Sequence, residues 1–280
     1  MNTQFLEILT CPVCKKSFEI SGNSLLCTND AKRHCFDMAR SGHVNLLCSH
    51  GGSGDDKTCA DSRTSFLEKD FYRPFSDEIN ALLKKYGVKN LLDAGCGEGY
   101  YTHRAAEVCE TALGIDLSKF AIETAAKRAK REGKGNELYA VAGIFDIPAA
   151  NDSFDGIINL FAPCCEEEFA RILTNGGILI LGAAGKDHLL GLKQAIYETT
   201  YQNESRGDLP CQMELLEKKT VSFEITLECQ SDIQNLFAMT PYFYRTSLSD
   251  KEKLGRLNRL KTGVEFDIFV YKSSKGGGDA

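Results

Sequence analysis

The chain has no long apolar run, no strong excess of one charge and no internal repeat, and each absence removes a class of protein. The longest stretch of apolar and small residues, 176–185, is about half of what crosses a bilayer. Residues 1–9 lack the basic start and extended apolar segment of a secretion signal, so a cytoplasmic protein with no membrane partner is expected. The 33 basic and 39 acidic side chains leave a formal charge of −6 over 280 residues, 42% of them hydrophobic. A disordered chain would need more net charge and less apolar content. The length suggests two domains.

What is abundant is cysteine. There are 12, many for a reducing compartment, where metal binding is the first question. Six of them, Cys11, Cys14, Cys27, Cys35, Cys48 and Cys59, fall within the first sixty residues, and only this group has ligand spacing. Cys11-Pro-Val-Cys14 is a knuckle that presents two thiolates to one ion. Cys27 follows across an expected hairpin turning at Ser21-Gly22-Asn23, and either His34 or Cys35 closes a tetrahedron. Soft ligands in a closed site favour a structural Zn2+. Residues 1–50 are too few to bury a core alone and are expected to use that metal as a staple. A glycine-rich linker is read at 51–62 and the second domain at 63–280.

In the second domain, apolar residues at three- and four-residue intervals over 64–86 predict two helical pieces broken before Pro74. Strands are then expected at 90–94, 112–116, 138–142, 156–160 and 177–182, with helices at 101–108, 119–132 and 166–173. Such alternation argues an α/β fold with a parallel sheet covered on both faces. A helix at 188–201 and strands near 220–229 and 264–272 complete it.

The first of these strands runs into Asp93-Ala-Gly-Cys-Gly-Glu-Gly-Tyr100. Gly95, Gly97 and Gly99 let backbone approach a ligand without an intervening Cβ. A dinucleotide fingerprint would need a third glycine at position 100, which is tyrosine, so nicotinamide binding is disfavoured. The pattern resembles the first motif of class I S-adenosylmethionine-dependent methyltransferases. Asp116 ends the next strand, where a carboxylate accepts both hydroxyls of a ribose. Asp146, just past the third, is placed to accept from an adenine amino group. Phe161 follows the fourth, where an acceptor pocket should open, and is a candidate to stack on the base.

Taken together, Cys11-Pro-Val-Cys14, Cys27, the run His34-Cys-Phe-Asp-Met-Ala-Arg-Ser-Gly-His-Val-Asn-Leu-Leu47, Asp93-Ala-Gly-Cys-Gly-Glu-Gly-Tyr-Tyr-Thr-His103, Ala162-Pro-Cys164, His188-Leu-Leu-Gly-Leu-Lys193 with Ile196-Tyr197, and Met239-Thr-Pro241 resemble the RlmA-type 23S ribosomal RNA guanine-N1 methyltransferases. The likeness runs in order from about residue 11 to 270. It implies a Rossmann-like methyltransferase domain with a small N-terminal zinc-binding, RNA-recognising module, acting on one guanine of a 23S rRNA hairpin loop, and it suggests a homodimer. It also implies Cys11, Cys14, Cys27 and His34 as zinc ligands. Tyr72, Tyr101, Thr102 and His188 become cofactor contacts beside the loop glycines, with Tyr72 placed to close over the sulfonium.

Nucleic-acid affinity comes mostly from neutralised phosphates, and residues 1–50 hold five basic and four acidic side chains. The module is therefore +1 and the remainder −7. Lys15, Lys16, Lys32, Arg33, Arg40, Arg63 and Arg73 are candidates to line a cleft between the two parts, with Arg63 and Arg73 the substrate contacts from the second. No catalytic base is assigned, and Cys164 is read as a structural thiol because a deprotonated guanine N1 is itself nucleophilic. Two other readings fit the glycine loop: a methyltransferase for a small molecule or protein, motivated by the acidic balance, and a zinc-dependent RNA-binding assembly factor with a vestigial cofactor site.

Overall fold

The computed structural model describes residues 2–48, 57–132, 135–204, 206 and 209–275. The amino-terminal part begins with α1 (Gln4–Ile8), followed by the antiparallel hairpin β1 (Phe18–Ser21) and β2 (Ser24–Cys27). Gly22, at φ 61°, takes the left-handed turn between them. Strand β3 (Cys35–Asp37) adds to β2. Phe18 and Phe36 meet edge to face at 5.6 Å.

The next strand, β4 (Val44–Asn45), leaves this small sheet and pairs parallel with the outer strand of the large one, β7 (Glu137–Val141). The module is therefore not a separate globule. Phe5, Leu9, Leu25 and Val44 are buried in one core with Leu138, Ala140, Ile144 and Ile147. Burying each of the larger side chains is worth roughly 1.5–3 kcal/mol, which a free module of this size would forgo.

Residues 51–56 of the expected linker lie outside the described residues. From Lys57 the chain is already helical in α2 (Lys57–Leu67), which shortens the reading of a linker to 62. The cause is Phe66 and Leu67, whose buried side chains hold the helix to the core. Helix α3 (Arg73–Lys85) starts with Pro74 in its first turn, where the missing N–H costs nothing.

The large sheet then builds through β5 (Asn90–Ala94), α4 (Tyr100–Ala105), β6 (Thr111–Asp116), α5 (Lys119–Glu132), β7, β8 (Phe154–Leu160), α6 (Glu166–Ile172) and β9 (Leu173–Ala184). Helix α7 (Leu190–Ile196), β10 (Glu214–Leu227), α8 (Gln230–Ala238), α9 (Leu248–Leu254) and β11 (Leu260–Lys272) follow. The strand order is β10-β11-β9-β8-β5-β6-β7-β4, parallel except for the hairpin β10/β11, last in the chain, which pairs antiparallel onto β9. Buried runs such as Leu91-Leu92 and Ile178-Leu179-Ile180-Leu181 are what a sheet covered on both faces requires.

The helix expected over 188–201 is confined to α7, and α8 and α9 were not anticipated. The chain moves outward from β5 to β6 and β7, then returns to β8 on the other side of β5. That reversal makes a crevice beyond the carboxyl ends of β5 and β8, the place where open α/β sheets bind ligands.

Candidate active site and metal centre

At the end of β5 the backbone turns through Gly95, Gly97 and Gly99, all with positive φ (86°, 55° and 74°). A Cβ on Gly95 would lie 2.6 Å from the Ala162 Cβ, and one on Gly99 would lie 2.7 Å from Ala125 and the Tyr139 ring. The loop is thus clamped between the segment after β8 and helix α5. Side chains at these positions would fill the backbone cradle and strain the turn.

Asp116, at the end of β6, holds the loop directly. One carboxylate oxygen accepts from the Gly97 N–H at 3.0 Å and the other from the Ser118 N–H at 2.7 Å. The carboxylate is half-buried. Asp93 sits beneath, fully buried, and accepts from the Thr102 hydroxyl at 2.6 Å. Removal from water pushes its carboxyl up to about 7. Glu98 is equally buried and raised for the same reason. Its Oε2 makes no hydrogen bond among the described residues and lies 3.8 Å from the Arg63 guanidinium.

Opposite the loop stands an aromatic wall built on Phe75 and Phe266. Tyr101 packs on Phe75 at 5.7 Å, and Phe161 on Phe75 at 5.5 Å and Phe266 at 5.1 Å. Tyr72 and His188 meet Phe266 at 5.0 and 4.6 Å. The Tyr101 hydroxyl is buried with no partner among the described residues. Such an orphan is costly unless a ligand answers it. Phe161 is 47% exposed and sits at φ 59°, a conformation disfavoured for a bulky residue. Burial lowers His188 to about 4, so the ring is neutral. Its Nδ1 accepts from the Glu265 N–H at 3.3 Å, which leaves the proton on Nε2.

The structure therefore brings Gly95, Gly97, Gly99, Asp116, Tyr101 and Phe161 to one crevice, with Tyr72 and His188 in its wall and Arg63 at its Glu98 side. Three expectations look different. Thr102 turns its hydroxyl to Asp93. Asp146 is exposed and ion-paired with Lys15 of the metal module. Arg73 lies on the outside of α3 between Asp70 and Asp77, at 3.5 and 3.7 Å.

Two residues that join the crevice escaped sequence reasoning. Asn159 donates to the carbonyls of Ala94 and Pro163 at 2.8 and 3.0 Å, tying the ends of β5 and β8, and accepts from Arg206 at 2.9 Å. A buried asparagine ending an apolar strand was a usable signal. Arg206 also donates to the Ala162 carbonyl at 2.8 Å, and nothing in the sequence around it marks it.

In the module, Cys11, Cys14, Cys27 and His34 place their ligand atoms within 4.8 Å of one another. Tetrahedral zinc with Zn–S near 2.3 Å and Zn–N near 2.0 Å needs S···S of about 3.8 Å and S···N of about 3.6 Å. The Cys14 and Cys27 sulfurs are 3.7 Å apart, and His34 Nδ1 lies 3.6 and 3.4 Å from the sulfurs of Cys11 and Cys27. The donor set fits the ion in chemistry and size. Cys35, on the opposite side of its strand, is exposed near Asp37 and outside the cluster.

Two family profiles match, one described as a methyltransferase domain over residues 87–255 and one as the RlmA N-terminal zinc ribbon over residues 9–51. The YxjB protein of Bacillus subtilis (strain 168) is 30% identical over 94% of this chain and 96% of its own. The chain belongs to the RlmA-type rRNA guanine-N1 methyltransferase family. Another relative, the 23S rRNA (guanine(748)-N(1))-methyltransferase of Streptomyces fradiae, is 29% identical over 76% of each chain. As a family member the protein is a methyltransferase that uses S-adenosylmethionine and carries a structural zinc site. Among the described residues no helix is long and apolar enough to cross a membrane.

Proposed function

We propose that this protein methylates N1 of a guanine in a hairpin loop of 23S rRNA. The observation that carries the reading is the crevice between the glycine loop and the aromatic wall, joined through one core to a zinc-ribbon module. The cofactor, when bound, supplies an electrophilic methyl group. Gly95, Gly97 and Gly99 give its amino-acid and sugar portions bare backbone, and Asp116 accepts from the ribose hydroxyls. Tyr72, Tyr101 and His188 close the wall around the sulfonium. Thr102 acts through Asp93. Asp146 completes the adenine end once Lys15 shares it.

Phe161 offers its exposed face to a guanine drawn out of its stack, Arg63 serves as a substrate contact at the Glu98 side, and Arg73 would reach the RNA only by leaving Asp70 and Asp77. Most of the acceleration comes from holding acceptor nitrogen and methyl carbon in line. His188 is not the base that removes the N1 proton: both its ring nitrogens are committed, one to accepting from Glu265 and one to carrying its own proton.

Residues 1–50 serve as the zinc-binding recognition module and 63–280 as the catalytic domain, with Cys11, Cys14, Cys27 and His34 holding the metal. The protein works in the cytoplasm, and as a homodimer as the resemblance implies. Leu215 and Leu216, exposed on the outer strand β10, are apolar surface that pairing would cover.

The test is incubation with S-adenosylmethionine and protein-free 23S rRNA, followed by primer extension. A new stop at a loop guanine is expected. Methyl incorporation without such a stop, or none at all, would rule out the substrate.

A further inference from the structure

One groove is unused by this reading. It lies between the module loop at residues 37–45 and the outer face of α5, encloses about 840 Å³, and is lined by Arg40, Lys119, Lys127, Lys130 and Arg131. Of the residues lining the groove only Asp37 and Glu123 are acidic, and Glu132 beside it pairs with Arg131, in a chain whose overall charge is −6. The charges are available to a ligand. Lys127 and Arg131 remain 65% and 70% exposed despite their ion pairs with Glu123 and Glu132, and Lys119 and Arg40 are exposed.

Helical geometry arranges them as a line. Lys119, Lys127 and Arg131 stand at multiples of four residues along one side of α5, with Glu123 between the first two and paired to Lys127, and span about 18 Å at 1.5 Å per residue. That is about five nucleotides of a stacked strand at 3.4 Å each. Phe120, 55% exposed, begins the same face at the end nearest Asp116. An exposed aromatic beside a cationic track is the makeup of a single-strand nucleic-acid surface. The module supplies the other wall: Lys130 Nζ donates to the Arg40 carbonyl at 3.0 Å, and β4 fixes the loop beside β7.

We propose that this groove is a track for the sugar-phosphate backbone of the RNA substrate, leading from the methyl-transfer crevice at Lys119 down α5 to Arg131. The inference rests on the RNA reading above and assigns that substrate its path.

The experiment uses the full-length, zinc-loaded protein and the triple variant Lys119→Glu, Lys127→Glu, Arg131→Glu. The probes are a fluorescent oligouridylate, which has no guanine to methylate, and the 23S hairpin, with S-adenosylhomocysteine calorimetry as control. Both RNA affinities should fall at least tenfold, and the log–log salt slope should shrink by about 2, at about 0.7 per lost phosphate contact on a single strand. Cofactor affinity should stay within about twofold. The corresponding triple glutamine variant should weaken binding less than charge reversal does. Unchanged RNA affinity and salt slope, or a parent protein that does not bind oligouridylate, would overturn the track. If the variant loses oligouridylate while the parent methylates no hairpin guanine, the track stands and the substrate assignment fails.

Discussion

Two buried or half-buried carboxylates divide the work at the crevice, and their surroundings explain how. Asp116 accepts one backbone N–H on each carboxylate oxygen. Asp116→Asn keeps the shape but loses the charge that strengthens hydrogen bonds to a ribose, about 1.5–3 kcal/mol. The amide NH2 also faces one of the two backbone N–H donors and loses that bond, so the melting temperature should fall as well. Calorimetry should show S-adenosylhomocysteine binding about tenfold to a hundredfold weaker; unchanged affinity would remove Asp116 from the sugar site.

Among the described residues Asp93 has no backbone donor from the loop, and it sits fully buried. Its carboxyl, raised from 3.8 to about 7 by burial, prefers its protonated form in the folded chain. The stabilisation from that preference is whole below about 4 and is lost as pH rises through about 7. Cofactor-free protein should therefore lose stability across that window relative to Asp93→Asn, by up to about 1.4 kcal/mol per pH unit at one proton. Denaturant titrations at pH 5, 6 and 7 measure this, and parallel pH trends in the two proteins would trace the dependence elsewhere.

At the scale of elements, the local signals that agreed with tertiary packing were legible and the rest were not. Strand β5, the glycine turn and α5 stand where periodicity puts them, because Leu91, Leu92, Ile122, Ala125 and Ala126 bury in the pattern those elements need. The helix expected over 188–201 stops at Ile196. Lys193 is the reason: buried, it donates to the Tyr201 carbonyl and to Asn203 at 3.1 and 2.6 Å, which demands a non-helical return of the chain. Helices α8 and α9 were readable in hindsight, from Ile233, Leu236 and Phe237 at helical intervals and from Ser247 capping the Asp250 N–H at 3.2 Å. No local pattern could give the Lys15–Asp146 pair, whose partners are 131 residues apart.

The turn after β8 carries a prediction of its own. Phe161 holds a left-handed backbone that asparagine accepts readily. Phe161→Asn should keep the fold and cofactor affinity, yet lower kcat/KM for the hairpin by about tenfold to a hundredfold, the worth of one base–aromatic stack. Full activity in that variant would make the ring a packing residue only.

For the molecule as a whole, the shared core decides how metal loss is felt. A zinc ribbon tethered by a linker would unfold by itself when stripped, leaving the catalytic sheet intact and a separate early transition in a calorimetric scan. Here Phe5, Leu9, Leu25 and Val44 of the module pack into the same core as β7 and the segment after it, and β4 is hydrogen-bonded to the sheet edge. Releasing the four ligands removes the staple from one wall of that core and from the floor of the basic groove at once. Chelation, or Cys27→Ser, should therefore lower the melting temperature of the entire chain in one transition and weaken RNA binding together with it. Cys35→Ser, whose thiol lies outside the cluster, should retain one zinc per chain by elemental analysis and melt like the parent. Two resolved transitions, with the later one unmoved by chelation, would mean that the module and the methyltransferase sheet fold apart, and that the contacts of β4 and α1 contribute little to joining them.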